Sequence, residues 1–247
     1  MSELGPNMNH IPWHICVLIP ARDEEILLPR CLASVLAACA ALPQGVTYDI
    51  VVAADSSTDN TLAIAQQFLH AYGAVVSTSA GVVGCARALA AQVALARYSG
   101  PLDRCWLANT DADCAVPEAW LADQLALARS DVEAIAGIID VDTFAEHGPA
   151  VPSRFHSSYV IYPDGSHPHV HGANLGVRAD AYQRAGGWAP LSTAEDHDLW
   201  RRLASSGSRS RSIGRMKVLT SGRRLGRAPH GFAAALASHN EAALITP

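Results

Sequence analysis

Five acidic positions in this chain have the spacing of chemistry. Asp111 and Asp113 stand one residue apart in "NTDADC", Asp55 ends "TYDIVVAAD", and Glu195 and Asp196 sit together in "TAEDHD". Two loop carboxylates in a D-x-D pattern suit a hard divalent cation, which takes oxygen ligands. They suit a turn equally well, because aspartate caps its own backbone there. A carboxylate at a helix start is favourable beside the macrodipole, and it becomes a general base only when a substrate hydroxyl lies within hydrogen-bond reach. Positive charge is also grouped. Nine of the chain's 18 basic residues lie between Arg201 and Arg227, a stretch without any Asp or Glu. A basic stretch in a chain of net charge -5 reads either as a solvated face or as the seat of a local anion such as a phosphate.

The elements that must position these residues alternate. "HICVLIPA" (14–21) is a short apolar run that predicts a buried strand, and "PRCLASVLAACAAL" follows with Leu32, Val35, Leu36 and Cys39 at helical spacing. "TYDIVVAAD" is a second strand. A helix follows with Thr58 or Asp59 as its cap and Gly73 as its stop. Strands at "AVVSTS", "DRCWLAN" and "VEAIAGIIDV" interleave with helices at "VGCARALAAQVALARYSG" and "PEAWLADQLALARS". Such alternation predicts an α/β domain with a mostly parallel central sheet, helices on both faces and ligands at the C-terminal strand edge. The loops "PARDEE", "ADSSTDN" and "NTDADC" then open on one edge. Residues 142–170 are rich in Pro, Gly, His and Ser and read as a long loop. Order resumes at "HVHGANLGVRADAYQRAGGW", then a helix at "STAEDHDLWRRLASSG", a strand at "RSIGRMKVLTSG" and an Ala-rich tail. His167, His169 and His171 share a face if extended, as loop histidines, acceptor-facing groups or a transition-metal site.

Composition bounds the rest. The chain has 247 residues, 49% hydrophobic and 17% charged. That suits one domain and argues against nucleic-acid binding. The six cysteines form no C-x-x-C pair, and the N-terminus lacks the basic start and apolar core of a signal peptide. No transmembrane segment is expected, and a cytoplasmic location is. There is no G-x-S-x-G, Walker loop, G-x-G-x-x-G or H-E-x-x-H.

"VLIPARDEEILLPRCLASV", "DIVVAADSSTDNT", "ANTDAD", "GANLGVRADAYQRAGGW" and "AEDHDLWRRL" resemble, in this order, the motifs of family 2 glycosyltransferases, over roughly residues 14–227. The resemblance implies a single Rossmann-like A-type glycosyltransferase domain. Residues 14–141 would be its nucleotide-binding half, 142–230 its acceptor-binding half and 231–247 a tail. It implies a nucleotide-sugar donor, with UDP favoured because a carboxylate accepts from uracil N3–H, although guanine also offers an N–H. Pro20, Ala21, Arg22 and Glu24 would line the base and ribose, with Asp23 where the family has Asn. Asp55 would match the second Asp of the family's pair and read the base, and Ala54 stands where the family has the first. Arg87 would reach the nucleotide. Asp113 would hold Mg²⁺ or Mn²⁺, Asp111 would serve the ribose or the metal through water, and Ala112 lies between them. Asp196 would be the general base with Glu195 beside it. Gly172, Ala173 and Asn174 would lie near sugar and acceptor, Arg223 and Arg224 would meet the diphosphate, and His230 would complete the metal shell. An inverting transfer to a hydroxyl of a small or soluble acceptor is the expectation. The alternatives are a retaining transferase or a non-catalytic nucleotide-sugar binding module. A homodimer is left open.

Overall fold

In the computed structural model, residues 11–228 and 231–241 are described. The sheet starts from the apolar runs. β1 (His14–Ala21) and β2 (Thr47–Asp55) are buried along almost their whole lengths, as strands covered on both faces must be. With β3 (Gly73–Thr78), β4 (Cys105–Asn109), β5 (Ala134–Val141), β6 (Leu175–Arg178) and β7 (Ser210–Thr220) they form one seven-stranded sheet. Its order is β3-β2-β1-β4-β6-β5-β7. All pairings are parallel except those of β6, which runs against both β4 and β5.

Period-two alternation splits the core into two layers. Ile15, Val17 and Ile19 point to one face, where α1 (Leu28–Ala40), α2 (Thr61–Leu69) and α4 (Trp120–Arg129) pack. Cys16 and Leu18 point to the other, under α3 (Val83–Arg97), α6 (Ala179–Arg184) and α7 (Glu195–Ser205). The alanines of α3 at 86, 90, 91 and 94 are buried and let that helix lie close on the sheet. The predicted α/β domain, mostly parallel with helices on both faces, is what the structure shows.

Several local expectations change. Gly73 does not stop α2; it opens β3, where a Cβ would lie 1.8 Å from the Ile50 carbonyl oxygen, so only glycine lets the strands pair. The residue at the N-cap of α2 is Asn60; Asp59, one position earlier, accepts from the Thr61 amide at 2.9 Å and the Glu25 amide at 3.0 Å. Residues 142–170 are not all loop, since α5 (Val151–Ser158) forms within them. Part of the tail is helical as α8 (Phe232–Glu241). These two helices share a small core of Val151, Phe155 and Leu236 with Val141 of β5, so each supplies much of the surface that the other buries. Among the described residues no helix is long and apolar enough to cross a membrane.

Candidate active site

The register brings the acidic loops together. Ala21 pairs with Ala54, and β1 pairs with β4 up to Asn109, so the chain leaves these strands at one edge as Arg22, Asp55 and Asp111. Because β6 is antiparallel, that same edge receives its beginning, the 3-10 turn Gly172–Asn174. The ends of β5 and β7 arrive there as well. A cavity of about 490 Å³ opens between them. Pro20, Ala21, Arg22, Glu24 and Asp55 line it, as do Arg87, Asp111, Ala112 and Asp113. Gly172, Ala173, Glu195, Asp196 and Arg223 complete the predicted set that it gathers.

Arginines organise the carboxylates. Arg87 is almost fully buried, and its fork is divided three ways: Nη2 donates to Asp111 Oδ1 at 2.6 Å, Nε to Glu195 Oε1 at 3.1 Å and Nη1 to the Gly172 carbonyl at 3.3 Å. Its guanidinium also lies 5.2 Å from the centroid of the Trp188 ring. One side chain therefore ties the D-x-D loop to the start of α7. Arg223 makes a bidentate pair with Glu24, at 2.6 and 2.9 Å, and lies 2.8 Å from Asp113 Oδ2. Arg30 braces the loop from below, donating to the Asp113 carbonyl at 3.0 Å and to Asp142 at 2.6 Å.

The residues fit a hard divalent cation in part. Ligand atoms of Asp111, Asp113 and Cys114 all lie within 4.8 Å of one another. The two carboxylates are suitable oxygen donors. Cys114 is not: burial holds its thiol far above its ordinary range, so it stays protonated. Burial also pushes the Asp113 carboxyl up to about 6, against the pull of Arg223 and with the help of the neighbouring Asp111 and Glu24 charges. A cation there would relieve that crowding. His230 lies outside the described residues.

Asp55 is more engaged than a free base-reading group. Both of its oxygens accept backbone amides, Gly81 at 2.8 Å and Val82 at 2.9 Å, so it also fixes the loop that opens α3. Asp196 accepts the Gly172 amide at 2.8 Å through Oδ2. Ala194, just before α7, has φ 57°, a left-handed conformation unusual for alanine that aims the Glu195-Asp196 pair. Glu195 is buried, and desolvation raises its carboxyl, with Arg87 opposing.

Two predicted residues stand apart from the cavity. Asn174 is wholly buried and spends its side chain on structure: Nδ2 donates to the Ile138 and Met216 carbonyls, and Oδ1 accepts from Trp120. In this structure it is a clamp across β5 and β7, and it does not line the cavity where a sugar contact was expected. The Arg224 side chain is exposed and does not line the cavity. Arg227, three residues on, does line it and donates to the Asp23 carbonyl at 2.8 Å. Arg227 belonged to the same basic stretch, but nothing in the sequence separated the two. His167, His169 and His171 stack at 5.8 and 6.1 Å between ring centroids rather than converging on an ion.

Comparison with known proteins agrees with this geometry. The sequence model of the family described as "Glycosyl transferase family 2" matches residues 16–186. A search of the curated proteins gives no match. Among solved structures, S. aureus TarS 1-349 in complex with UDP-GlcNAc superposes with a TM-score of 0.65 at 16% identity, covering 89% of this chain and 61% of that one. The chain thus spans about three fifths of that relative. The mannosyltransferase PcManGT from Pyrobaculum calidifontis, in complex with GDP-Man and Mn2+, gives 0.61 at 19% identity, covering 93% of this chain and 69% of that one. A mycobacterial protein gives 0.56 at 18% identity over 94% and 74%.

Proposed function

The chain belongs to glycosyl transferase family 2, and from that premise we propose that it moves a sugar from a nucleoside-diphosphate sugar to an acceptor hydroxyl with inversion. The observation that carries this is the meeting, in one cavity, of the D-x-D carboxylates, the Arg223–Glu24 pair and the Asp196 loop. Asp111 and Asp113 would hold Mg²⁺ or Mn²⁺, and the bound ion supplies neutralisation of the leaving diphosphate. Arg223 and Arg227 are the guanidiniums available to the same phosphates. Asp196 takes the proton of the acceptor hydroxyl as its oxygen bonds to the anomeric carbon. The bond from that carbon to the diphosphate oxygen breaks, and the nucleoside diphosphate leaves. The Gly172 amide orients the Asp196 carboxylate for this, and Arg87 holds the helix that carries it.

A uridine donor is preferred on the Asp55 carboxylate at the base end. A guanosine donor is the competing reading, since the Pyrobaculum calidifontis mannosyltransferase with the same fold was solved with GDP-Man. All six cysteines are free, which supports a reducing, cytoplasmic setting. Residues 14–141 serve the nucleotide and 142–230 the acceptor in this reading.

Asp196→Asn separates base from binder. It is expected to retain nucleotide binding and lose at least about a hundredfold in transfer, the usual scale for a general base. Wild-type transfer rates in Asp196→Asn would remove that assignment. A product of retained anomeric configuration, read by NMR, would replace inversion by the retaining alternative. Failure of any nucleotide sugar in a donor panel to be consumed would leave a binding module.

A further inference from the structure

We propose that the cavity wall beside Asp196 is an acceptor subsite for an alcohol borne on an apolar body, with His171 as its polar anchor. The inference rests on the transferase reading and adds the acceptor's chemical class. Ile139, Ala173 and Phe232 line the cavity and belong to one hydrophobic cluster. His171 meets Phe232 edge-on, ring centroids 6.5 Å apart at 83°. The wall lies next to the base, because His171 precedes Gly172, whose amide donates to Asp196. The charged groups Glu24, Asp113 and Arg223 pair with one another elsewhere in the cavity.

The imidazole is presented in one protonation form. Tyr159 Oη accepts the Ile139 amide at 3.0 Å and stands 2.6 Å from His171 Nε2. The pairing that satisfies both groups has the phenol donating to Nε2, which puts the ring proton on Nδ1. Among the described residues Nδ1 has no hydrogen-bond partner, and the residue lines the cavity. His169 lies parallel to this ring at 6.1 Å and stacks on Tyr159 at 4.0 Å, so the ring sits in a row of parallel rings with Tyr159 holding its Nε2. Burial drives its pKa down to about 3, assisted by the neighbouring His169, His197 and His167, and only Asp111 pulls the other way. The anchor is therefore a neutral N–H donor.

One neutral donor in an apolar wall recognises one oxygen on a hydrocarbon. A free hexose turns hydroxyls to every side, and those facing Ile139 and Phe232 would be stripped of water without a partner. An aryl or alkyl alcohol loses nothing there and gains the burial.

The test uses the full chain with UDP and Mn²⁺ and four probes: benzyl alcohol, 1-octanol, glycerol and glucose, followed by ligand-observed NMR. Benzyl alcohol and 1-octanol are expected to bind saturably, and glycerol and glucose to be silent at the same concentration. His171→Phe preserves the stack and removes the donor. It is expected to weaken benzyl alcohol by about fivefold, the loss of one neutral hydrogen bond, with UDP affinity unchanged. Phe232→Ala is expected to weaken 1-octanol by a similar or larger factor. Glucose binding as well as or better than benzyl alcohol, or apolar probes unmoved by both substitutions, would overturn the proposal. Absence of UDP binding would instead count against the transferase reading, while the alcohol titrations still report on the wall.

Discussion

Asp113, the proposed cation ligand, would make the site respond to both protons and cations. Burial pushes its carboxyl up to about 6, so folding favours the protonated form. That favour is present below the ordinary carboxylate range and is lost as pH rises through about 6. The metal-free chain should therefore melt at lower temperature at pH 7 than at pH 5 by a part that disappears in Asp113→Asn. Cation binding needs the ionised form, so the rise in melting temperature given by Mn²⁺ should grow over the same interval. Scanning fluorimetry reads both, and an equal Mn²⁺ effect at the two pH values would refute the assignment of Asp113 as ligand. Arg87 makes a second prediction. Arg87→Met would leave Glu195 and Asp111 without their shared cation, at a cost of about 3–5 kcal/mol in urea unfolding. Arg87→Lys should recover little of this, because a single ammonium nitrogen cannot stand at the three separate places from which Nε, Nη1 and Nη2 reach Glu195, the Gly172 carbonyl and Asp111.

At the scale of elements, the loop 189–191 is held against the start of α3 through Gly84. Its amide donates to the Leu191 carbonyl at 3.1 Å, and a Cβ there would sit 2.1 Å from the Ala189 carbonyl oxygen. Gly84→Ala should cost roughly 1–3 kcal/mol as an overpacked contact and displace the segment that leads into Ala194 and Asp196. An unchanged melting temperature would show that the loop is not seated as described. The same elements show what a sequence can disclose. β1, β2, β4 and β5 were legible because continuous apolar runs admit few other readings. The direction of β6 was not, since four residues of "LGVR" carry no sign of which way they run. α5 and α8 escaped because much of what each buries is supplied by the other, about 80 residues away along the chain. The candidate site was legible as a set of loops, whereas its wiring was not. That Arg87 chooses Glu195, and Arg223 chooses Glu24, is decided by tertiary approach, and the basic stretch gave no ground for placing Arg227 in the cavity and Arg224 outside it.

At the scale of the whole molecule, donor binding should appear as stability. A ligand that binds only the folded chain stabilises it by about 2.7 kcal/mol at a hundred times its dissociation constant. UDP with Mn²⁺ should raise the melting temperature, and Asp113→Ala should abolish the part that needs Mn²⁺. A nucleotide effect identical with and without Mn²⁺ would detach the cation from the donor site.

The pair between Glu24 and Arg223 joins positions 199 residues apart. On a ribosome adding about 5–20 residues each second, the Glu24 loop emerges some 10–40 seconds before the guanidinium that closes it. The Asp196 helix also follows late. A chain made only as far as β5 thus shows carboxylates to the cell but lacks both the proposed phosphate clamp and the proposed base. On the proposed reading, such a chain carries the cation's carboxylates before it carries the groups that would act on an activated sugar.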